Sequence, residues 1–293
     1  MGGTIRARRR IRRALVAALA LGLLGATGAP PAGASHPRAS GPVDVLYAGS
    51  LFDVMTQSIG PAFTRATGYT LSGVANGSTA LASEIKGGTQ VADVFISASP
   101  TVNASLAGAA NGDWLSSYTV FGASTLVLGY DPHSRFARAL RTEPWYDVVG
   151  RPGFRLGRTD PATDPKGVLA VDALRGVALS YDRPRLDALA TSSADVFPET
   201  ALVGELQAGQ LDAGFFYALE ARAAHLATVP LVGTGLAGEF TVAVLNRAPH
   251  PSAARAFVRF LLSARGRRLL RRNGVTPIVP ARVVRGVGRS PVS

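Results

Sequence analysis

The feature that most constrains this chain is a strict alternation of short apolar runs with helix-type segments between residues 43 and 109. Val43–Ala48 reads as a buried strand, followed by a helix from about Leu51 to Thr67. Tyr69–Ala75 and Ala92–Ser97 are the next strands, with helices over Thr79–Lys86 and Pro100–Ala109. Such a βαβαβα series predicts parallel strands joined by right-handed crossovers. A second series follows. Thr125–Tyr130 and Phe154–Arg158 read as strands, and Gly167–Leu179 as a helix with Val168, Val171, Leu174 and Ala178 at helical spacing. Thr200–Ala208 is a helix ended by Gly209, Ala213–Tyr217 a short buried strand and Phe240–Leu245 a stronger one. Helices over Ser252–Ser263 and Gly266–Arg272 close the chain, the first with Ala256, Phe257, Phe260 and Leu261 on one face.

Two α/β lobes with a ligand cleft between them fit this order. The expected division is 43–120 plus 247–282 for lobe 1 and 121–246 for lobe 2, with a disordered tail at 283–293. Ligands of open α/β sheets bind beyond the carboxyl ends of strands, where helices start.

Residues 1–34 are expected to be a signal peptide. Six arginines between Arg6 and Arg13 precede an apolar run from Ala14 to Gly25, and Ala32-Gly33-Ala34 offers a small-x-small cleavage site. The run is about a dozen residues, whereas a permanent span needs about 20. Paired arginines permit the twin-arginine route as well as the general one. Residues 35–42 form a linker. The mature chain is expected to be extracytoplasmic.

The formal charge of +12 belongs to the ends. Setting aside six arginines in the first 34 residues and eight in residues 265–293 leaves −2 for residues 35–264. A nucleic-acid footprint over the whole domain is therefore not expected. With no cysteine there is no disulfide framework, thiolate metal site or cysteine nucleophile. His36, His133, His225 and His250 show no metal-ligand spacing, and neither a G-x-S-x-G elbow nor a Walker A loop occurs. No cofactor is expected, and a monomer is.

Four segments share one design, a strand or loop ending in small or polar residues where a helix begins: Ala48-Gly49-Ser50-Leu51, Asn76-Gly77-Ser78-Thr79, Asp164-Pro165-Lys166-Gly167 and Pro198-Glu199-Thr200. Unpaired N–H groups and the helix dipole favour an oxyanion there. Glycine lets the backbone approach, and serine adds a hydroxyl donor. Ordinary N-capping explains the same residues.

Val45–Leu51, Gly77–Leu81 and Ala92–Ala98, with Trp145–Val148, Asp164-Pro-x-Gly167, Gly209–Tyr217, Pro251–Phe257 and Gly274–Pro277, resemble the periplasmic molybdate- and tungstate-binding proteins of ABC transporters. The resemblance covers roughly residues 43–280. It implies a type II periplasmic-binding fold whose lobes close on a tetrahedral dianion, with a membrane permease as partner. It implies that Ser50 and Ser78, supported by Gly49 and Gly77, bind oxygens of the anion. Asp164 and Glu199 match carboxylates that in the tungstate-type branch add to the metal of the oxyanion, no free metal cation being implied. Tyr217 matches a hydroxyl donor of the molybdate-type branch. Lys166 stands where the tungstate-type branch has a smaller or uncharged residue. For Asp164 and Glu199, capping and dipole complementarity remain equally good explanations, and for Tyr217 core packing. A receptor for sulfate, phosphate, an organic anion or a ferric complex remains an alternative, as does an enzyme on the same scaffold.

Overall fold

The structure, a computed structural model, describes residues 40–285 apart from Asp195. The expected signal peptide and most of the linker lie outside the described residues. No helix among the described residues is long and apolar enough to cross a membrane.

The first series runs β1 (Pro42–Ala48), a 3-10 turn at Gly49–Leu51, a π-helical stretch at Val54–Ile59, α1 (Gly60–Thr67), β2 (Thr70–Asn76), α2 (Ser78–Lys86), β3 (Val94–Ser97) and α3 (Pro100–Ala104). The second comprises β4 (Ser117–Tyr130), α4 (Ala137–Thr142), α5 (Trp145–Val149), β5 (Leu156–Thr159), α6 (Pro165–Ser180), α7 (Pro184–Thr191), β6 (Val196–Phe197), α8 (Leu202–Gln207), β7 (Ala213–Tyr217), α9 (Ala218–Ala223) and β8 (Ala227–Pro230). The chain returns through β9 (Ala237–Val244), α10 (Pro251–Leu262), α11 (Ala264–Arg272) and β10 (Thr276–Arg285).

Strand order is β2-β1-β3-β9-β4-β7-β5-β6, with β8 and β10 also paired to β4. β1 is parallel to β2 and β3, as the βαβ series requires. β5 is parallel to β6 and β7. The two parallel groups are joined by long antiparallel strands. β4 pairs with β9 and β10 through its first half and with β7 and β8 through Leu126–Tyr130. β9 reaches back to pair with β3 at Thr241–Val244, residues expected in lobe 2. The fold is thus two α/β halves sharing strands, the type II arrangement.

Three local differences have physical causes. The helix expected from Leu51 to Thr67 is broken because Pro61 has no N–H to give, and the Gly60 N–H bonds five residues back, to the Met55 carbonyl. The helix expected to reach Ala109 stops at Ala104, four residues before Gly108, which has φ +79°. β10 extends to Arg285, so residues 283–285 are strand rather than disordered tail. Pro277 and Pro280 are accommodated at a sheet margin with a register shift, here between Pro277 and Arg282.

The main core runs through both halves, and in the first half it lies between β1, α1 and α10. Ala253, Ala254, Phe257, Phe260 and Leu261 form the buried stripe of α10. Phe257 meets Phe63 edge-on at 5.2 Å between centroids, and each buried ring of this kind contributes about 1.5–3 kcal/mol. This packing fixes β1, and hence the level at which its carboxyl end releases Gly49 and Ser50.

Candidate functional site

Ala48 and Asn76 are register partners at the carboxyl ends of β1 and β2. Ser50 and Ser78 therefore leave the sheet at the same edge. In the other half β5 ends at Thr159 and β7 at Tyr217. Ser50, Ser78, Thr159, Asp164, Lys166, Glu199, Tyr217 and Glu220 are all buried.

A polar atom removed from water normally has a partner. Here Ser50 Oγ and Tyr217 OH have none, and Thr159 Oγ1 and Asp164 Oδ2 have none of regular hydrogen-bond geometry, although the Thr159 hydroxyl lies close enough to favour the Asp164 carboxylate. Ser78 Oγ accepts a 3.1 Å bond from Ala98 N, which leaves its O–H to donate elsewhere. Asp164 caps α6, its Oδ1 accepting from Lys166 N at 3.3 Å. The capping and binding readings of this residue are compatible, because each uses a different oxygen. Tyr217 likewise does both. Its ring packs edge-on against Phe240 at 5.8 Å, while its hydroxyl stays unpaired. Gly238 makes room for that ring end: a Cβ there would lie 2.7 Å from the Tyr217 oxygen.

Glu199 is not at the first turn of a helix, since α8 starts at Leu202. Its carboxylate lies directly over Gly49, where an added Cβ would fall 1.5 Å from Oε2. Its Oε1 is 3.4 Å from Lys166 Nζ. Gly77 is covered too, a Cβ there lying 2.5 Å from the Thr163 carbonyl oxygen and 3.3 Å from Asp164 Cβ. Both supporting glycines thus touch the opposite half of the molecule. One expectation needs correction. The α2 amino end does not present all its N–H groups to a ligand, because Thr79 N and Ala80 N both donate to Thr163 O at 3.1 Å.

Lys166 and Glu220 complete the cluster. Lys166 Nζ is 2.7 Å from Glu220 Oε1, and Glu220 Oε2 accepts from Tyr217 N at 2.8 Å. Burial raises the Glu199 pKa well above its usual value, although the Lys166 charge opposes this. Asp164 is raised in the same sense and by the same cause. Burial also drives the Tyr217 hydroxyl upward, with Asp164, Glu220 and Glu199 adding to it, so this phenol stays protonated and able to donate. Burial pulls the Lys166 pKa down, but Glu220, Glu199 and Asp164 together push it up further, and the ammonium stays charged.

Glu220 and Thr159 were not singled out in the sequence. Glu220, third in its helix, carries only the weak signal of a capping-box acid. Thr159 carries the general one of a polar residue ending a buried strand.

Residues 43–276 match the family described as bacterial extracellular solute-binding protein. The chain belongs to that family. A putative ABC transporter molybdenum-binding protein of Haloferax volcanii is 32% identical over 212 residues, covering 70% of this chain and 65% of the relative. Among solved structures, the periplasmic molybdate-binding protein of Azotobacter vinelandii superposes with a TM-score of 0.62 at 17% identity, covering 81% of this chain and 99% of that one. The sulfate-binding protein SubI of Mycobacterium tuberculosis gives 0.64 at 16% identity, covering 82% and 88%. At such identities the likeness shows the fold.

This solute-binding protein also gathers Asp44, Asp93 and His250, whose ligand atoms lie within 4.8 Å of one another. Asp93 is occupied structurally, accepting from Asp44 N at 2.8 Å and His250 N at 2.5 Å, so it ties β1, β3 and the start of α10 together.

The unpaired Tyr217 hydroxyl yields a prediction. Tyr217→Phe removes a buried, unsatisfied group, so the unliganded protein should hold or gain stability, by up to about 1 kcal/mol. Anion binding should weaken by about tenfold. Urea melts together with anion titrations check both; a loss of stability with unchanged binding would return Tyr217 to a packing role.

Proposed function

We propose that this protein is the extracytoplasmic receptor of an ABC transporter for a tetrahedral oxyanion, molybdate or tungstate, which it delivers to a membrane permease. The observation that carries the reading is the set of buried oxygens of Ser50, Thr159, Asp164 and Tyr217 at element ends of both halves, those of Ser50 and Tyr217 without any partner. With Ser78 they offer hydroxyl hydrogens to an oxyanion, and Asp164 joins them as a donor when its carboxyl is protonated, the form that burial favours. Gly49 and Gly77 let the two halves approach over the ligand. The name of the Haloferax relative supports molybdenum as the element carried.

The reading includes export of a monomeric mature chain and closure of two lobes on the ligand. It assigns binding rather than catalysis, as the solute-binding family does.

Thermal melts of the purified protein test it. Molybdate or tungstate at a hundredfold excess over Kd should stabilise by about 2.7 kcal/mol, roughly 5–10 °C in Tm for a domain of this size. Phosphate should give no shift. Absence of any shift at millimolar molybdate and tungstate would overturn the reading.

One observation favours a second reading, a receptor for a larger organic anion. A cavity of about 520 Å³ opens beside the site, lined by Gly49, Ser50, Phe52, Val74, Glu199 and Thr200 among others. That is more room than a single tetrahedral dianion needs. Competition titrations with sulfate and with small organic phosphates separate the two.

A further inference from the structure

Lys166 violates a local rule. It is the second residue of α6, beside the positive end of the helix dipole, where a cation is disfavoured. It is also completely buried. Its position therefore needs a non-local cause. Its ammonium is 2.7 Å from Glu220 Oε1 and 3.4 Å from Glu199 Oε1. It lies 5.6 Å and 5.9 Å from the ring centroids of Phe216 and Tyr217. The groups facing it are thus two carboxylates and two aromatic rings, with Asp164 two residues earlier at the same helix end.

Asp164, Glu199 and Glu220 are three buried carboxyls around the Lys166 ammonium, and Glu199 and Glu220 line the cavity. In its ionised form such a group repels an entering dianion, and the low dielectric strengthens that repulsion. Lys166 is the cation that bears on Asp164 and Glu199 alike. Resting on the anion-receptor reading above, we propose that Lys166 is a specificity-determining positioning residue: it gathers Glu199 and Glu220 into one ion-paired cluster and so converts a carboxyl-lined cavity into one that admits a tetrahedral dianion. Glu199 then serves as a wall against Gly49, and the hydroxyls of Ser50, Ser78, Thr159 and Tyr217 meet the anion. An acidic lining without Lys166 would select against dianions.

The test compares wild type, Lys166→Met, Lys166→Met/Glu199→Gln and Glu199→Gln by calorimetric titration with molybdate at pH 6 and pH 8. Lys166→Met should weaken binding about thirtyfold or more at pH 8. The deficit should shrink at pH 6, because the released carboxylates take up protons as pH falls and repulsion declines. Glu199→Gln in the Lys166→Met background should recover most of the loss, which a merely structural lysine would not allow. Glu199→Gln alone should bind more tightly than wild type at pH 8, about threefold or more. Lys166→Met binding like wild type overturns the inference, as does an equal loss at both pH values with no rescue. If Lys166→Met does not fold, Glu199→Gln alone decides: tighter binding supports the inference, and weakening overturns it, since Glu199 would then contact the anion. Wild type that binds neither molybdate nor tungstate overturns the receptor reading and this inference with it. Wild-type binding with an unaffected Lys166→Met overturns the inference alone.

Discussion

The double variant Ser50→Ala/Ser78→Ala is expected to lose anion binding while keeping its fold. Hydrogen bonds to a charged partner contribute about 1.5–3 kcal/mol each, so two lost donors amount to roughly 3–6 kcal/mol and at least about a hundredfold in affinity. The structural cost is much smaller. Ser50 Oγ makes no protein bond, so its removal forfeits none. Ser78 Oγ accepts from Ala98 N, and its loss leaves one buried N–H unpaired, a cost of about 1–3 kcal/mol. Calorimetric titration with circular-dichroism melts checks both halves of the expectation. Retained affinity in a folded double variant would mean that the anion binds elsewhere.

The second large effect is expected at Gly77. A methyl group there would meet the Thr163 carbonyl oxygen at 2.5 Å, and that oxygen belongs to backbone that accepts from Thr79 N and Ala80 N. The clash cannot be relieved by turning a side chain. Overpacking of this kind costs about 1–3 kcal/mol, or roughly 5- to 150-fold in affinity if it falls on the closed form alone. Gly77→Ala is therefore expected to weaken molybdate binding by that factor while leaving the melt of the unliganded protein unchanged. Small-angle scattering with and without molybdate checks the cause, since the variant should compact less on ligand addition than wild type. An equal loss of stability without ligand would mean that Gly77 is needed for folding rather than closure.

Both variants act at places the sequence marks. Gly-Ser just after a strand, twice, is a local pattern, and the parallel βαβ rule puts both copies on one sheet edge. The register of Ala48 with Asn76 bears that placement out. The amphipathic stripe of α10 and the buried runs of β1, β3 and β7 were equally legible, because periodicity records which face of an element meets the core.

Other features were not legible. β4 belongs to both halves, with different partners along its length, and nothing in a linear pattern says that one strand serves two sheets. Asp164 and Tyr217 could be read as cap and core or as ligand contacts, and each does the structural job with one atom while another stays unpaired. That division is visible only when every partner is in place.

The sequence by itself determined the α/β series, the two serine-bearing strand ends and the near-neutral body between arginine-rich ends, since these depend on neighbours a few residues away. Only the tertiary structure decided the electrostatics of the site. Lys166 meets Glu199 and Glu220 across separations of 33 and 54 residues. The Thr163 carbonyl takes N–H groups of a helix from the other half. Whether a buried carboxyl repels an anion depends on which charges the fold brings within a few ångströms of it, and local sequence pattern carries no record of that distance.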